Sequence, residues 1–169
     1  MNEHEEFPHL NAAGEVHMVS VTGKDDTVRK AKAQGRILAP AVVVDAVRRG
    51  VTKKGDVLAV ARVAGIMAAK RTAEWIPLCH PIALTGISVI IEFDDEGFVV
   101  TAETETRAST GVEMEAMTAV SAALLTLYDM LKAQHRGLVL TEIHLVEKTG
   151  GKNEDYQADH FPPHRDPHQ

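Results

Sequence analysis

Residues 110–132, TGVEMEAMTAVSAALLTLYDMLK, form the segment that most restricts how this chain can fold. Apolar side chains recur there at steps of three or four residues, the spacing that places them on one face of an α-helix. We therefore predict a long helix over residues 111–136 that ends at Gly137 and packs against a core. The apolar positions that carry this pattern are Met117, Val120, Leu124, Leu127 and Leu131.

Asp129 interrupts this apolar pattern near the C-terminal end of the predicted helix. A carboxylate in such surroundings is usually paired or functional. Lys132 lies three residues later on the same helix face and is a candidate partner. Held near lysines, Asp129 would stay ionised and serve as a base, while a lysine could exchange a proton. The alternative is a structural ion pair worth about 0.3–0.5 kcal/mol.

Glu113 and Glu115 lie at the start of the same helix, two residues apart. Two residues correspond to about 200° of helical rotation, so the two carboxylates should point in nearly opposite directions. Either the first turn is irregular, or the two carboxylates serve different surfaces, as at a subunit interface. We do not expect them to share one metal ion within a subunit. Glu113 could alternatively do no more than complement the helix dipole.

The loop IPLCHP at residues 76–81 holds the only cysteine, followed directly by a histidine between two prolines. Proline fixes its own φ and disfavours helix at the preceding residue, so this loop is predicted to be stiff and extended. His80 is a candidate for proton transfer near neutral pH, or an anchor of the loop. Cys79 is interpreted as a small residue lining a site, since no further ligands for a metal and no hydrolase motif accompany it.

Length and composition are those of one globular domain. The 169 residues are 44% hydrophobic and only 4% aromatic, which predicts an aliphatic core. A net charge of −6 argues against nucleic-acid binding. One cysteine and the lack of a signal peptide or membrane span are typical of a cytoplasmic protein. We predict a flexible N-terminus over residues 1–10, a catalytic domain over 11–152 and a disordered tail over 153–169.

Residue alternation, capping residues and glycines predict the remaining elements. Without the small helices the order is β-α-β-β-α-β, an α+β ferredoxin-like fold with two long helices on one face of an antiparallel sheet. The 57–75 helix carries a small-residue face (Ala61, Ala64, Gly65 and Ala68) suited to close packing. The predicted elements are a strand over residues 16–21, helices over 28–33, 40–49 and 57–75, strands over 86–93 and 98–106, the helix over 111–136 and a strand over 138–147.

Several lysines adjoin glycines, notably Lys54 before Gly55 and Lys148 before Gly150-Gly151. Lysine gives phosphate a charged contact, and glycine lets the backbone N–H groups approach a ligand. Lys54 and Lys148 could therefore contact an anionic substrate, although only the family resemblance given below favours them, and Arg29, over the other surface cations. The alternative for each is an ordinary solvated surface charge.

The motifs TGVEMEA, YDMLKA, IPLCHP and EKTGGK, in this order, resemble the cyclic pyranopterin monophosphate synthase family, the molybdenum-cofactor biosynthesis protein C (MoaC) family. The resemblance extends over about residues 10–152 and implies the ferredoxin-like fold. It also implies a lyase that converts 3′,8-cyclo-7,8-dihydroguanosine 5′-triphosphate to cyclic pyranopterin monophosphate with release of diphosphate. No redox cofactor is implied, and Mg²⁺ bound with the triphosphate stays open.

The resemblance also assigns roles to individual positions. It implies Asp129, Lys54, Lys132 and His80 as catalytic residues. It implies substrate contacts at Leu78, Cys79, His80, Glu113, Met114, Glu115, Lys148 and Arg29, and no metal ligands.

The family assembles as a homohexamer, a trimer of dimers with sites at the dimer interface. The opposed glutamates and the small-residue face would agree with that assembly.

Ala108-Ser109 replace a glycine and a basic residue of many relatives, so one phosphate contact is either absent or supplied by Arg107. The rival interpretations are a non-catalytic nucleotide-sensing domain of the same fold and a metal-dependent phosphohydrolase.

Overall fold

The computed structural model describes residues 9–11, 13–151 and 155–159. Residues 1–8 of the predicted flexible N-terminus, residues 12 and 152 of the predicted domain, and residues 153–154 and 160–169 of the predicted tail lie outside the described part. The strands are β1 (Thr27–Leu38), β2 (Gly86–Phe93), β3 (Gly97–Ala108), β4 (Val139–Thr149) and β5 (Tyr156–Gln157). The helices are α1 (Ala41–Arg48), α2 (Val57–Ala69), α3 (Thr72–Trp75) and α4 (Glu113–Leu131).

The strands form one antiparallel sheet in the order β2-β3-β1-β4-β5. Helix α4 packs on β1, β3 and β4, and α2 packs on β2 and α4. With α1 and α3 left aside, the order is the predicted β-α-β-β-α-β followed by the short β5. The α+β ferredoxin-like prediction is therefore confirmed.

The predicted first strand and first helix are wrong. Residues 28–33 lie within β1, and residues 16–21 form no strand, because Val16 makes only an isolated bridge to Leu10. Side chains of β1 alternate, with Ala31 and Ala33 buried against the helices and Lys32 turned away. Lysine and alanine are strong helix formers, but the packing of this face on α4 overrides their local preference.

The predicted 57–75 helix is two helices. Asp56 begins α2 by accepting a hydrogen bond of 2.9 Å from the Ala59 N–H, as a capping residue does. The chain leaves helical geometry at Arg71 (φ −118°, ψ 19°) before the short α3. Helix α4 spans fewer residues than the predicted 111–136, with Val112 preceding its first turn.

The small-residue face of α2 is used inside the chain. A Cβ atom on Gly65 would lie 2.9 Å from the Ala119 carbonyl oxygen and 3.4 Å from the Ala123 Cβ. Ala61 and Gly65 are buried where α2 crosses α4. This face therefore gives no support to a subunit interface, contrary to the expectation from sequence.

Helix α4 is also long and apolar enough to cross a membrane, a property that the sequence analysis overlooked. More than half of its apolar window is buried within this chain, where it forms the core with the sheet. Leu124, Leu127 and Leu131 are completely buried, as the helical periodicity predicts. Such burial is typical of the core helix of a globular domain.

Candidate active site

Helix α4 carries candidate residues at both of its ends. Glu113, Met114 and Glu115 form its first turn, and Asp129 lies in its last. At 1.5 Å per residue, Glu113 and Asp129 are about 24 Å apart along the helix axis. The candidate residues of one chain therefore form two separate groups.

The first group joins Asp129 to two lysines. Lys54 Nζ lies 2.8 Å from Asp129 Oδ2, and Lys132 Nζ lies 2.7 Å from Asp129 Oδ1. The predicted contact between Asp129 and Lys132 is thus present. Hydrogen bonds from Lys132 and then Lys54 lower the pKa of Asp129 to about 2, although its side chain is 55% exposed. Asp129 is consequently ionised at neutral pH, with an ammonium group on each carboxylate oxygen.

The loop between α1 and α2 brings Lys54 to this position. The Thr52 hydroxyl donates to the Gly55 carbonyl, and Gly55 has a positive φ of 80° that favours glycine. Lys54 lies within this tight turn, next to the capped start of α2. The glycine after Lys54, noted in the sequence, therefore closes the turn that presents the lysine.

The second group surrounds a cavity of about 320 Å³ at the start of α4. His80 Nε2 lies 2.8 Å from the Val19 carbonyl oxygen. A carbonyl only accepts, so Nε2 carries a hydrogen, and in the neutral ring Nδ1 is the nitrogen that can accept a proton. The predicted loop residues and helix start thus share one cavity, whose walls include Leu78, Cys79, His80, Glu113, Met114 and Glu115.

Glu115 is almost completely buried, with 4% of its surface exposed. Burial is the main cause that raises the pKa of Glu115 to about 7; a backbone hydrogen bond opposes it, and the charge of Glu113 adds a smaller increase. Burial also raises the pKa of the Cys79 thiol, and Glu115 and Glu113 add to that effect. Cys79 is therefore a neutral thiol in the wall of the cavity, which agrees with its interpretation as a lining residue.

Of the two alternatives for Glu113 and Glu115, service to different surfaces is wrong for this chain, because both carboxylates line the same cavity. Glu113 is the first residue of α4, and its side chain folds back over Gly111, where a Cβ atom would overlap its carboxylate. Glu113 also accepts a hydrogen bond of 3.0 Å from Lys148 Nζ. Ideal helical angles fail here because no preceding turn constrains the side chain of the first residue.

A second cavity of about 450 Å³ adjoins the first. Lys24, Thr110, Gly111 and Glu113 line both, so the two cavities share a wall. The second one is basic. Besides the shared residues, its walls include Arg29, Lys30, Lys148, Ser109, Gly150 and Gly151.

Sequence reasoning missed Lys24 and Thr27 as lining residues of this basic cavity. Thr27 Oγ1 and Arg29 Nε are buried without a hydrogen-bond partner within the described chain. Correct assignment of β1 would have found Thr27, since Thr27 and the predicted Arg29 are alternate residues at the start of the strand. Ser109 lines the cavity, and Arg107 is not among its lining residues.

The structure thus brings together the Cys-His loop, the start of α4, Lys148 and Arg29, and it leaves Lys54, Asp129 and Lys132 apart from them. Neither cavity is lined by any of the latter three residues. Within the described residues, no three His, Cys, Asp or Glu side chains are grouped as metal ligands would be.

Comparison with known proteins connects this geometry to a family. The MoaC family model matches residues 18–151. Three similar relatives, each named cyclic pyranopterin monophosphate synthase, come from Peptoclostridium acidaminophilum, Rhodopirellula baltica and Geobacillus kaustophilus. Their identities are 49%, 51% and 47%, over 91%, 89% and 89% of this chain and 98%, 93% and 96% of theirs. With a family match over most of its length and relatives near half identity, the chain belongs to the MoaC family.

Proposed function

We propose that this protein is a cyclic pyranopterin monophosphate synthase of molybdenum-cofactor biosynthesis. The reaction opens and recloses the purine-derived ring of 3′,8-cyclo-7,8-dihydroguanosine 5′-triphosphate and forms a cyclic phosphate with release of diphosphate. The observation that carries this proposal is the pair of adjoining cavities, one basic and one lined by Glu115 and His80. The polyanionic end of such a substrate suits the basic cavity, and its polar ring system suits the cavity lined by Glu115 and His80.

The basic cavity is the proposed site of the triphosphate. Arg29 and Lys148 supply positive charge to it, and Lys24 adds a third cation at the wall that both cavities share. Lys148 is hydrogen-bonded to Glu113, which holds the ammonium group in place before phosphate arrives. Mg²⁺, where present, would enter with the triphosphate, and no redox cofactor is required.

The second cavity is the proposed site of the ring system. Glu115, with a pKa near neutrality, can donate a hydrogen bond to the ring when protonated and accept one when ionised. His80 is held by Val19 through Nε2, which leaves Nδ1 to take part in proton transfer. Leu78, Cys79 and Met114 complete the walls around the substrate.

The catalytic groups Lys54, Asp129 and Lys132 are proposed to come from a second copy of the chain. The length of α4 keeps them about 24 Å from Glu113 of the same chain, so one subunit holds only half of each site. In a two-fold dimer each chain can give its Asp129 group to the cavities of the other. Three such dimers would form the homohexamer that the family resemblance implies.

In the completed site, the two ammonium groups would stabilise the charge that develops as diphosphate leaves. Ionised Asp129 would hold both lysines in position and could accept a proton from a substrate hydroxyl or ring nitrogen. The attacking ribose hydroxyl forms the new P–O bond at the α-phosphorus, and the bond to diphosphate breaks. The cytoplasm is the proposed location of this chemistry.

The test is incubation of the purified protein with the cyclised GTP intermediate. We expect release of one diphosphate for each cyclic pyranopterin monophosphate formed, the latter measured by chromatography after oxidation to a fluorescent pterin. Tight nucleotide binding without turnover would instead show a sensor of the same fold. Loss of diphosphate release in EDTA, restored by an ion that binds without substrate, would favour a metal-dependent phosphohydrolase.

A further inference from the structure

The described segment 155–159 runs back along β4, next to the basic cavity. Tyr156 pairs with Lys148 in the β4–β5 ladder, and the Ala158 N–H donates a hydrogen bond of 2.8 Å to the Val146 carbonyl. This segment was predicted to belong to a disordered tail, yet it adds a strand to the sheet. It therefore contacts the strand that carries one of the proposed phosphate ligands.

Asp155, at the start of this segment, fixes a glycine in the cavity wall. Its Oδ1 atom accepts a hydrogen bond of 3.0 Å from the Gly150 N–H. Gly150 and Gly151 have positive φ angles of 89° and 97°. On the opposite side, a Cβ atom at Gly150 would overlap the Val28 carbonyl.

Gly151 is equally confined, because a Cβ atom there would overlap the guanidinium of Arg29. Gly150 and Gly151 therefore lie between β1 on one side and Asp155 on the other. Two consecutive glycines have more conformational freedom than any other pair of residues. A hydrogen bond from Gly150 to an ionised carboxylate is strong enough to restrict that freedom.

We propose that Asp155 is a positioning residue for the phosphate-binding wall formed by Lys148, Gly150 and Gly151. The proposal rests on the proposed function, since it assigns phosphate to the basic cavity. The charge of Asp155 repels a polyanion, so any contribution it makes to binding arises from the hydrogen bond to Gly150 and not from its charge. The hydrogen bond to Gly150 should strengthen phosphate binding, whereas the negative charge of Asp155 should weaken it. Substitutions that remove one without the other can separate the two effects.

Three variants test this role: Asp155→Ala, Asp155→Asn and, as a matched control, Asp159→Ala in the same exposed segment. In Asp155→Ala we expect a KM for the cyclised GTP intermediate about tenfold higher, with kcat within about twofold. The affinity for diphosphate, measured by calorimetry, should fall by a similar factor. Asp155→Asn should resemble the unmodified protein or bind more tightly, because its amide oxygen accepts the same hydrogen bond without the charge.

Unchanged or tighter diphosphate binding by Asp155→Ala would overturn the proposal, since charge would then be the only effect of this residue. Equal losses in Asp155→Ala and Asp159→Ala would also overturn it, because they would show a general effect of the segment. The calorimetric comparison can be read without turnover. If the unmodified protein fails to convert the intermediate, the proposed function fails while diphosphate binding still tests Asp155.

Discussion

Lys54 reaches Asp129 through two hydrogen bonds of 2.8 Å, one to a carboxylate oxygen and one to the backbone carbonyl of the same residue. That carbonyl lies in the last turn of α4, where carbonyl groups lack partners within the helix. A cation there also complements the helix dipole. One lysine thus attaches the α1–α2 loop to the end of α4 and places a positive charge beside the proposed base.

Replacement of Asp129 by Ala or of Lys54 by Ala should abolish most turnover without unfolding the protein. We expect kcat to fall by about 10²–10⁴, the usual contribution of a positioned proton-transfer group. The side chains of Lys54 and Asp129 are 38% and 55% exposed and neither belongs to the core, so the melting temperature should change little.

Lys53→Ala is the matched control for these two variants. Lys53 is an exposed neighbour of Lys54 that makes no ion pair with any residue the structure describes. Its removal changes the net charge by the same amount as Lys54→Ala does and should leave diphosphate release unchanged. Full activity in Lys54→Ala or Asp129→Ala would remove that residue from the catalytic group.

Glu115 should make the free energy of unfolding decrease as the pH rises. Its pKa in the folded chain is about 7, above the ordinary value of 4.5, so the folded state binds more protons between these two values. The contribution of Glu115 to the free energy of unfolding is therefore complete below about pH 4.5 and is lost as the pH rises through 7. In Glu115→Gln this loss, about 3 kcal/mol, should disappear.

Urea unfolding of both proteins at pH 5, 6, 7 and 8 measures this effect. The difference in the free energy of unfolding between Glu115→Gln and the unmodified chain should grow in favour of the variant as the pH rises. Parallel curves over this range would show that Glu115 has an ordinary pKa. If Glu115 also contacts the substrate, the KM of the variant should rise while its stability improves.

Gly65→Ala should destabilise the fold even though alanine favours a helix. The new methyl group would lie 2.9 Å from the Ala119 carbonyl oxygen, so α2 and α4 would have to move apart. Overpacking of this kind costs about 1–3 kcal/mol, which exceeds the gain of about 1 kcal/mol in helix propensity. Thermal unfolding checks the sign, and an increase in melting temperature would show that the two helices separate easily.

The sequence predicted α4 and the β2–β3 hairpin correctly because burial follows their local periodicity. It failed at β1, where three of the four buried positions, Ala31, Ala33 and Gly35, are small residues with little hydrophobic signal. Their small size is explained only by the close approach of α4, since a Cβ at Gly35 would lie 2.8 Å from Leu124 Cδ1. The period of two is present in β1, but small residues at its buried positions give that period little weight.

Candidate residues were easier to predict than their arrangement. The loop around His80 and the acidic start of α4 stood out by composition, and family resemblance supplied their roles. That Glu113 folds back to the Glu115 side depends on Gly111 and Lys148, so helical rotation alone gave the wrong answer. Lys24 was missed because a lone lysine in a loop resembles any solvated charge until the fold places it between two cavities.

The shared site can be tested by mixing two inactive proteins. His80→Ala and Asp129→Ala each damage a different half of the proposed site, so each pure oligomer should be inactive. After unfolding and refolding together, a mixed dimer has one site with both residues intact and one with neither. Random pairing makes half of the dimers mixed, which predicts recovery of about one quarter of normal activity.

A mixture of Asp129→Ala with Lys54→Ala is the control for this experiment. Both residues lie in the same group, joined by an ion pair within one chain. Every site in a mixed dimer then lacks one of the two, so no activity should return. If the first mixture also stays inactive while mixed dimers form, as native mass spectrometry can show, the two groups do not meet across a subunit interface. Lys54 and Asp129 would then need a role that does not depend on contact with the substrate held near His80.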